Sequence, residues 1–135
     1  MARKLLILAA VFGMLGVILG AFGAHGLKEQ VSEKMLANWN TGVFYHLIHT
    51  LAIFGTALAS ARLRKNTVVL AGWFFAAGIL IFSGSLYTMV LTGKTWLGAI
   101  TPIGGGGLEA GFVAIGADGG GGFHASGSSG FASDP

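Results

Sequence analysis

Residues 5–24 read LLILAAVFGMLGVILGAFGA, a block without a single charged side chain. At a rise of 1.5 Å per residue, about twenty such residues in a helix match a hydrocarbon core of roughly 30 Å. Arg3 and Lys4 stand directly in front of it. A cleaved export signal is the competing reading, with Ala21-Phe22-Gly23 as its cleavage site, but the apolar part of such a signal runs to only about 7–15 residues. The block is therefore expected to be a membrane span. Within it Ala9, Gly13, Gly16, Gly20 and Gly23 recur at intervals of four, three, four and three. That spacing lines one helical face with small residues, which lets a neighbouring helix approach closely.

Working outward, the remaining apolar blocks have the same character. Gly42 to Ala61 is expected as a second span, with Thr41 as its cap, and residues 67–91 as a third. Gly93 and Lys94 mark a tight turn, after which 96–117 is the fourth candidate. This last block carries Pro102, the glycines 104 to 107 and Glu109. Each glycine weakens a helix, and a mid-span carboxylate costs about 2.5–3.5 kcal/mol unless it is paired or protonated. Neighbouring helices can still satisfy such a backbone. Between the first two spans, Leu27, Val31, Met35, Leu36 and Trp39 fall near one helical face and charged residues cover the rest. That pattern predicts a short helix lying in the membrane interface, with Trp39 at headgroup level.

Composition agrees. Hydrophobic residues make up 53% of the 135-residue chain and charged residues 10%, against roughly 25% charged in a soluble domain. The expected fold is an all-α membrane protein, a compact bundle of four transmembrane helices occupying residues 1–118, followed by a Gly/Ser-rich flexible tail over 119–135. The net charge of +3 comes from basic residues placed at the ends of apolar blocks, which is orientation signal and not a nucleic-acid surface. There is no cysteine, which excludes disulfides, thiolate metal sites and cysteine nucleophiles.

Four segments, taken in order, carry a family likeness: Gly20-Ala21-Phe22-Gly23-Ala24-His25; Tyr45 through His49-Thr50-Leu51-Ala52; Phe82-Ser83-Gly84-Ser85-Leu86-Tyr87; and Thr101-Pro102-Ile103-Gly104-Gly105. Together they resemble domain-of-unknown-function family 423, also called uncharacterised protein family 0382, small bacterial membrane proteins. The resemblance covers roughly the first 105 residues. It implies a four-span protein of the bacterial inner membrane without an assigned activity. After Gly105 the chain departs from the strongly apolar helix that the family would continue with.

The chemistry-bearing side chains gather at one end of the expected bundle. His46 and His49 lie about five and eight residues from the end of the second span, and Tyr87 and Ser83 about four and eight from the same end of the third. His25, Tyr45, Ser85 and Thr101 belong to the same layer. Ionisable side chains inside a membrane mark candidate sites by default. The plainer alternative is that they bond to one another and fix packing, at about 0.6 kcal/mol per bond. His46, His49 and His25 could converge on an ion, but no carboxylate or cysteine completes a zinc site, and bis-histidine haem is less favoured still. No aspartate orients a serine–histidine pair, and Gly104 to Gly107 lacks the lysine of a phosphate loop. The sequence therefore points to a protein that is not an enzyme and has no cofactor or bound metal. The lipid bilayer is its environment, and its expected partners are further copies of itself or a larger membrane complex. A small-solute or proton carrier using the His/Tyr/Ser layer is the alternative.

Of the eight basic residues, Arg3, Lys4, Arg62, Arg64 and Lys65 fall on one side and Lys28, Lys34 and Lys94 on the other. The positive-inside bias then puts the N-terminus and residues 62–65 in the cytoplasm and residues 28–40 outside. Single cysteines introduced at Lys34 and Lys65 check this in intact cells. An impermeant thiol reagent should label position 34 and spare 65; the reverse pattern inverts the orientation.

Overall fold

A computed structural model describes residues 1–127, with side chains described as far as Ala117. Four helices follow one another: α1 (Ala2–Phe22), α2 (Glu33–Leu63), α3 (Asn66–Thr92) and α4 (Thr101–Gly127). A π-helical turn, Gly23–Leu27, extends α1, and a 3-10 turn, Thr95–Ala99, leads into α4. Of the Gly/Ser-rich stretch expected as a tail, residues 128–135 lie outside the described residues.

The turns follow from local chemistry. Arg64 ends α2 in the left-handed conformation (φ 50°) with its N–H on the Ser60 carbonyl, and α3 begins two residues later. Gly93 ends α3 at φ 73°, a region glycine enters without strain, and its N–H reaches the Met89 carbonyl at 2.8 Å. Such short connections force neighbouring helices to run antiparallel. The contacts agree: Gly16 faces Leu47 and Gly23 faces Trp39, Gly42 faces Tyr87 and Gly72 faces Thr56, and Gly104 faces Phe82 and Gly111 faces Phe75. Each helix thus packs mainly on its sequence neighbours.

The expected interfacial helix is not separate. Ser32 caps α2, its hydroxyl accepting from Met35 N–H at 3.2 Å, and the helix runs without a break from Glu33 to Leu63. Neither a proline nor a left-handed residue interrupts residues 33–41, so nothing stops the helix there. Thr41 is accordingly no cap; its hydroxyl donates to the Ala37 carbonyl within the helix. Trp39 is fully buried between helices. It packs with Leu27, Val43 and Val90, and its indole N–H donates to the Leu19 carbonyl of α1 at 2.9 Å. The apolar stripe that resembled a membrane-surface face is a tertiary contact with the π turn.

The stretches Ala2–Leu27, Glu33–Leu63 and Asn66–Thr92 are long and apolar enough to cross a membrane; among the described residues α4 is not counted with them. Its glycines nevertheless have a packing role. A Cβ on Gly104 would collide with the backbone nitrogen of Phe82, and one on Gly107 would lie 3.3 Å from the Cα of Gly78. A helix backbone cannot yield as a side chain can, so α3 and α4 meet this closely only because these positions lack a Cβ. A Cβ on the intervening Gly106 would meet nothing within 4 Å. The central core combines Leu5 and Phe12 of α1, Ile53 of α2, Phe75 and Ile79 of α3 and Leu108 of α4.

Candidate functional site: a polar layer across the helices

The small residues of α1 bring its backbone to the side chains of α2. A Cβ on Gly16 would lie 2.5 Å from Leu47 Cδ2 and 3.3 Å from His46 Cδ2, and one on Gly23 would lie 2.6 Å from Trp39 Cδ1. Gly20 and Gly13 are looser, with 3.2 Å to Val43 and 3.6 Å to Thr50. The close approach exposes the Phe12 carbonyl to α2, and His46 Nε2 lies 2.8 Å from that oxygen.

This contact assigns the protons. A carbonyl only accepts, so Nε2 carries the hydrogen and Nδ1 is left as an acceptor. Tyr87 Oη of α3 lies 3.0 Å from Nδ1 and donates to it. His46 is 5% exposed, and the neutral ring joins α1 to α3 with both nitrogens used. Tyr87 lies over Gly42, where a Cβ would come within 2.9 Å of the phenol ring, and packs against Trp39 at a centroid distance of 4.7 Å. Ser83 donates to the Gly42 carbonyl at 2.7 Å, a second tie between α3 and α2.

His49 behaves differently. Its Nδ1 lies 2.7 Å from the Tyr45 carbonyl one turn back on the same helix, so it is Nδ1 that bears the hydrogen. Nε2 has no hydrogen-bond partner among the described residues. The ring is 5% exposed and lies against Phe75 and Phe112 at 5.8 and 5.7 Å.

Of the eight side chains assigned to this layer, the structure thus joins His46 to Tyr87 but not His49 to Ser83. Ser85 turns to α4, with 2.7 Å between its hydroxyl and that of Thr101 and a second bond to the Phe82 carbonyl. Tyr45 is exposed, its ring nearly parallel to that of His49 and 4.8 Å from Phe82. His25 is exposed on the π turn and makes no hydrogen bond among the described residues. No three of His, Asp and Glu among the described residues are grouped to hold a metal ion. The acceptors on Phe12, Leu19 and Gly42 went unseen in the sequence because backbone carbonyls leave no signature there.

The model of the DUF423 family, described as a protein of unknown function, matches residues 19–105. The chain belongs to that family. Among its DUF423 relatives, the UPF0382 membrane protein YwdK of Bacillus subtilis is 48% identical over 104 residues, 76% of this chain and 85% of the relative. A UPF0382 membrane protein of Haemophilus influenzae is 41% identical, covering 78% and 84%. The UPF0382 inner membrane protein YgdD of Escherichia coli is 39% identical over 112 residues, 83% of this chain and 86% of the relative. No solved structure matches. With relatives named as membrane proteins and three helices fit to cross a bilayer, this chain is a multi-helix membrane protein. The DUF423 match contains Trp39, His46, Ser83, Tyr87 and Thr101 and stops before Glu109.

The His46–Tyr87 tie should behave as one unit. Tyr87→Phe strands Nδ1 and is expected to lower stability by about 1 kcal/mol. In the His46→Ala background it should cost less by about 0.5 kcal/mol or more, whereas Ser85→Ala, which breaks a different contact, should cost the same in either background. Unfolding of the purified protein in mild detergent measures all of these. Full additivity of Tyr87→Phe and His46→Ala would rule the tie out.

Proposed function

We propose that this protein is a non-enzymatic membrane bundle, acting by packing with further copies of itself or as an accessory within a larger membrane assembly. The supporting observation is how its polar groups are used. His46, Tyr87, Ser83 and Trp39 are bound to one another or to backbone carbonyls. Thr56 and Ser60 likewise donate to carbonyls of their own helix. Along their middle turns the first two helices direct apolar side chains outward, Ile7, Met14 and Val17 of α1 and Leu51, Phe54 and Leu58 of α2. A shallow apolar groove of about 340 Å3 runs between these faces, floored by Ala9, Ala10 and Gly13. Small residues in such a groove favour helix association in lipid.

In the same reading α4 is the fourth span and the Arg3 and Arg62–Lys65 end is cytoplasmic, in a bacterial inner membrane. The charge bias and the inner-membrane name of YgdD support that placement. The carrier reading keeps support at one point. His46 and Tyr87 hold each other and His25 stands apart, but His49 borders a recess beside α4.

Blue-native electrophoresis of protein extracted in mild detergent and in native-lipid particles tests the packing reading. Dimers or larger species, or a stoichiometric partner, are expected. A strict monomer in both preparations, with no co-purifying protein, overturns it.

A further inference from the structure

The recess beside His49 lies between α2, α3 and α4 and measures about 230 Å3. Its walls are largely aromatic: Tyr45, Phe82 and Phe112, with the Tyr45 and Phe82 rings 4.8 Å apart and Phe112 5.7 Å from the imidazole. Two groups that border it have acceptor atoms left unpaired among the described residues. His49 is 5% exposed, its Nδ1 hydrogen is committed to the Tyr45 carbonyl, and its Nε2 lone pair is unpaired among the described residues. Glu109, which is exposed, also lines the recess, and its carboxyl group makes no hydrogen bond or ion pair among the described residues.

These groups define what would fit. Nε2 and the carboxylate both accept, so the occupant must donate hydrogen bonds. On the reading proposed above, in which α4 is the fourth span, an ionised carboxyl group within it is costly without a counter-charge, so the occupant should be cationic. Aromatic faces attract a cation and shelter an apolar body attached to it. One carboxylate and one imidazole are too few ligands for a divalent metal ion. The volume lies below the roughly 300–1,000 Å3 of sites for drug-sized ligands. Glu109 stands eight residues into α4, about 12 Å from its start at Thr101. That depth favours a free amphiphilic molecule over the headgroup of a lipid.

We propose that this recess binds a small protonated amine carrying an apolar, ring-sized body. Glu109 supplies the counter-charge, His49 Nε2 accepts an ammonium hydrogen, and Tyr45, Phe82 and Phe112 flank the organic part in an open recess. Tyr45, His49 and Phe82 lie within the DUF423 match and Glu109 lies beyond it. The inference rests on the proposed reading of α4 as a span but not on self-association, and holds for a monomer or an oligomer.

Phenethylamine is a suitable probe, with the full chain in phosphatidylcholine nanodiscs, whose lipid offers no competing primary amine. Equilibrium dialysis should show saturable binding at one site per chain, at least tenfold tighter than 2-phenylethanol. Glu109→Gln should weaken it tenfold or more. His49→Phe, which keeps a ring in place, should weaken it several-fold and abolish the preference for the amine over its N-trimethylated analogue, which has no hydrogen to give to Nε2. Elution volume and Trp39 fluorescence matching the parent protein show that each variant is folded. Absence of saturable binding overturns the proposal. So does binding that a folded Glu109→Gln protein retains in full, or alcohol and amine binding equally, which would mean an apolar crevice only.

Discussion

The bond between His46 Nε2 and the Phe12 carbonyl constrains more of this molecule than any other contact. A buried imidazole in an apolar bundle needs partners for both nitrogens, since a stranded polar group costs about 1–3 kcal/mol. The carbonyl already serves its own helix and has a second lone pair to offer, but only a side chain held against the α1 backbone can reach it. Gly16, one turn further on, leaves that space: even a methyl group there would crowd both Leu47 and the His46 ring. With Nε2 committed to Phe12, Nδ1 must accept, and the donor that meets it is Tyr87 of α3. One proton position thereby relates three helices, and the Trp39 and Ser83 bonds to backbone carbonyls reinforce the same arrangement.

The last two helices are joined by different means. Ser85 and Thr101 form a side-chain pair at the start of α4. Below it the approach of Gly104 and Gly107 to Phe82 and Gly78 replaces side-chain interlocking with backbone contact. Phe112 then lies edge-on to Phe75, with His49 beside both. His49 therefore ends up between a packed aromatic core and a recess, while His46 one turn earlier, equally buried, has both nitrogens bonded. Two histidines three residues apart take different chemical roles because different helices cover them.

Much of the fold could be read from the chain. The charge-free run of residues 5–24, the small-residue spacing that faces α2, and the turns at Arg64 and Gly93 all have local causes. Counting depth along antiparallel spans was enough to bring His46 level with Tyr87. It was not enough for His49 and Ser83, because depth says nothing of rotation about the helix axis, and Ser83 faces Gly42 instead. The Leu27–Trp39 segment shows a second limit. An amphipathic stripe looks the same whether its apolar face meets lipid headgroups or another helix, and here it meets the π turn. The glycines of α4 show a third: propensity ranks them as helix breakers, yet tertiary packing uses their missing Cβ atoms.

His46 and His49 are opposite tautomers, one closed by two partners and one left open on Nε2 among the described residues. Nitrogen-15 NMR of the histidine-labelled protein in lipid nanodiscs reads this directly, with the two rings assigned by His46→Gln and His49→Gln. The account predicts a protonated Nε2 and a bare, hydrogen-bonded Nδ1 for His46, against a protonated Nδ1 and a bare Nε2 for His49. The same tautomer on both rings, or a His46 signal averaging between the two forms, would contradict it.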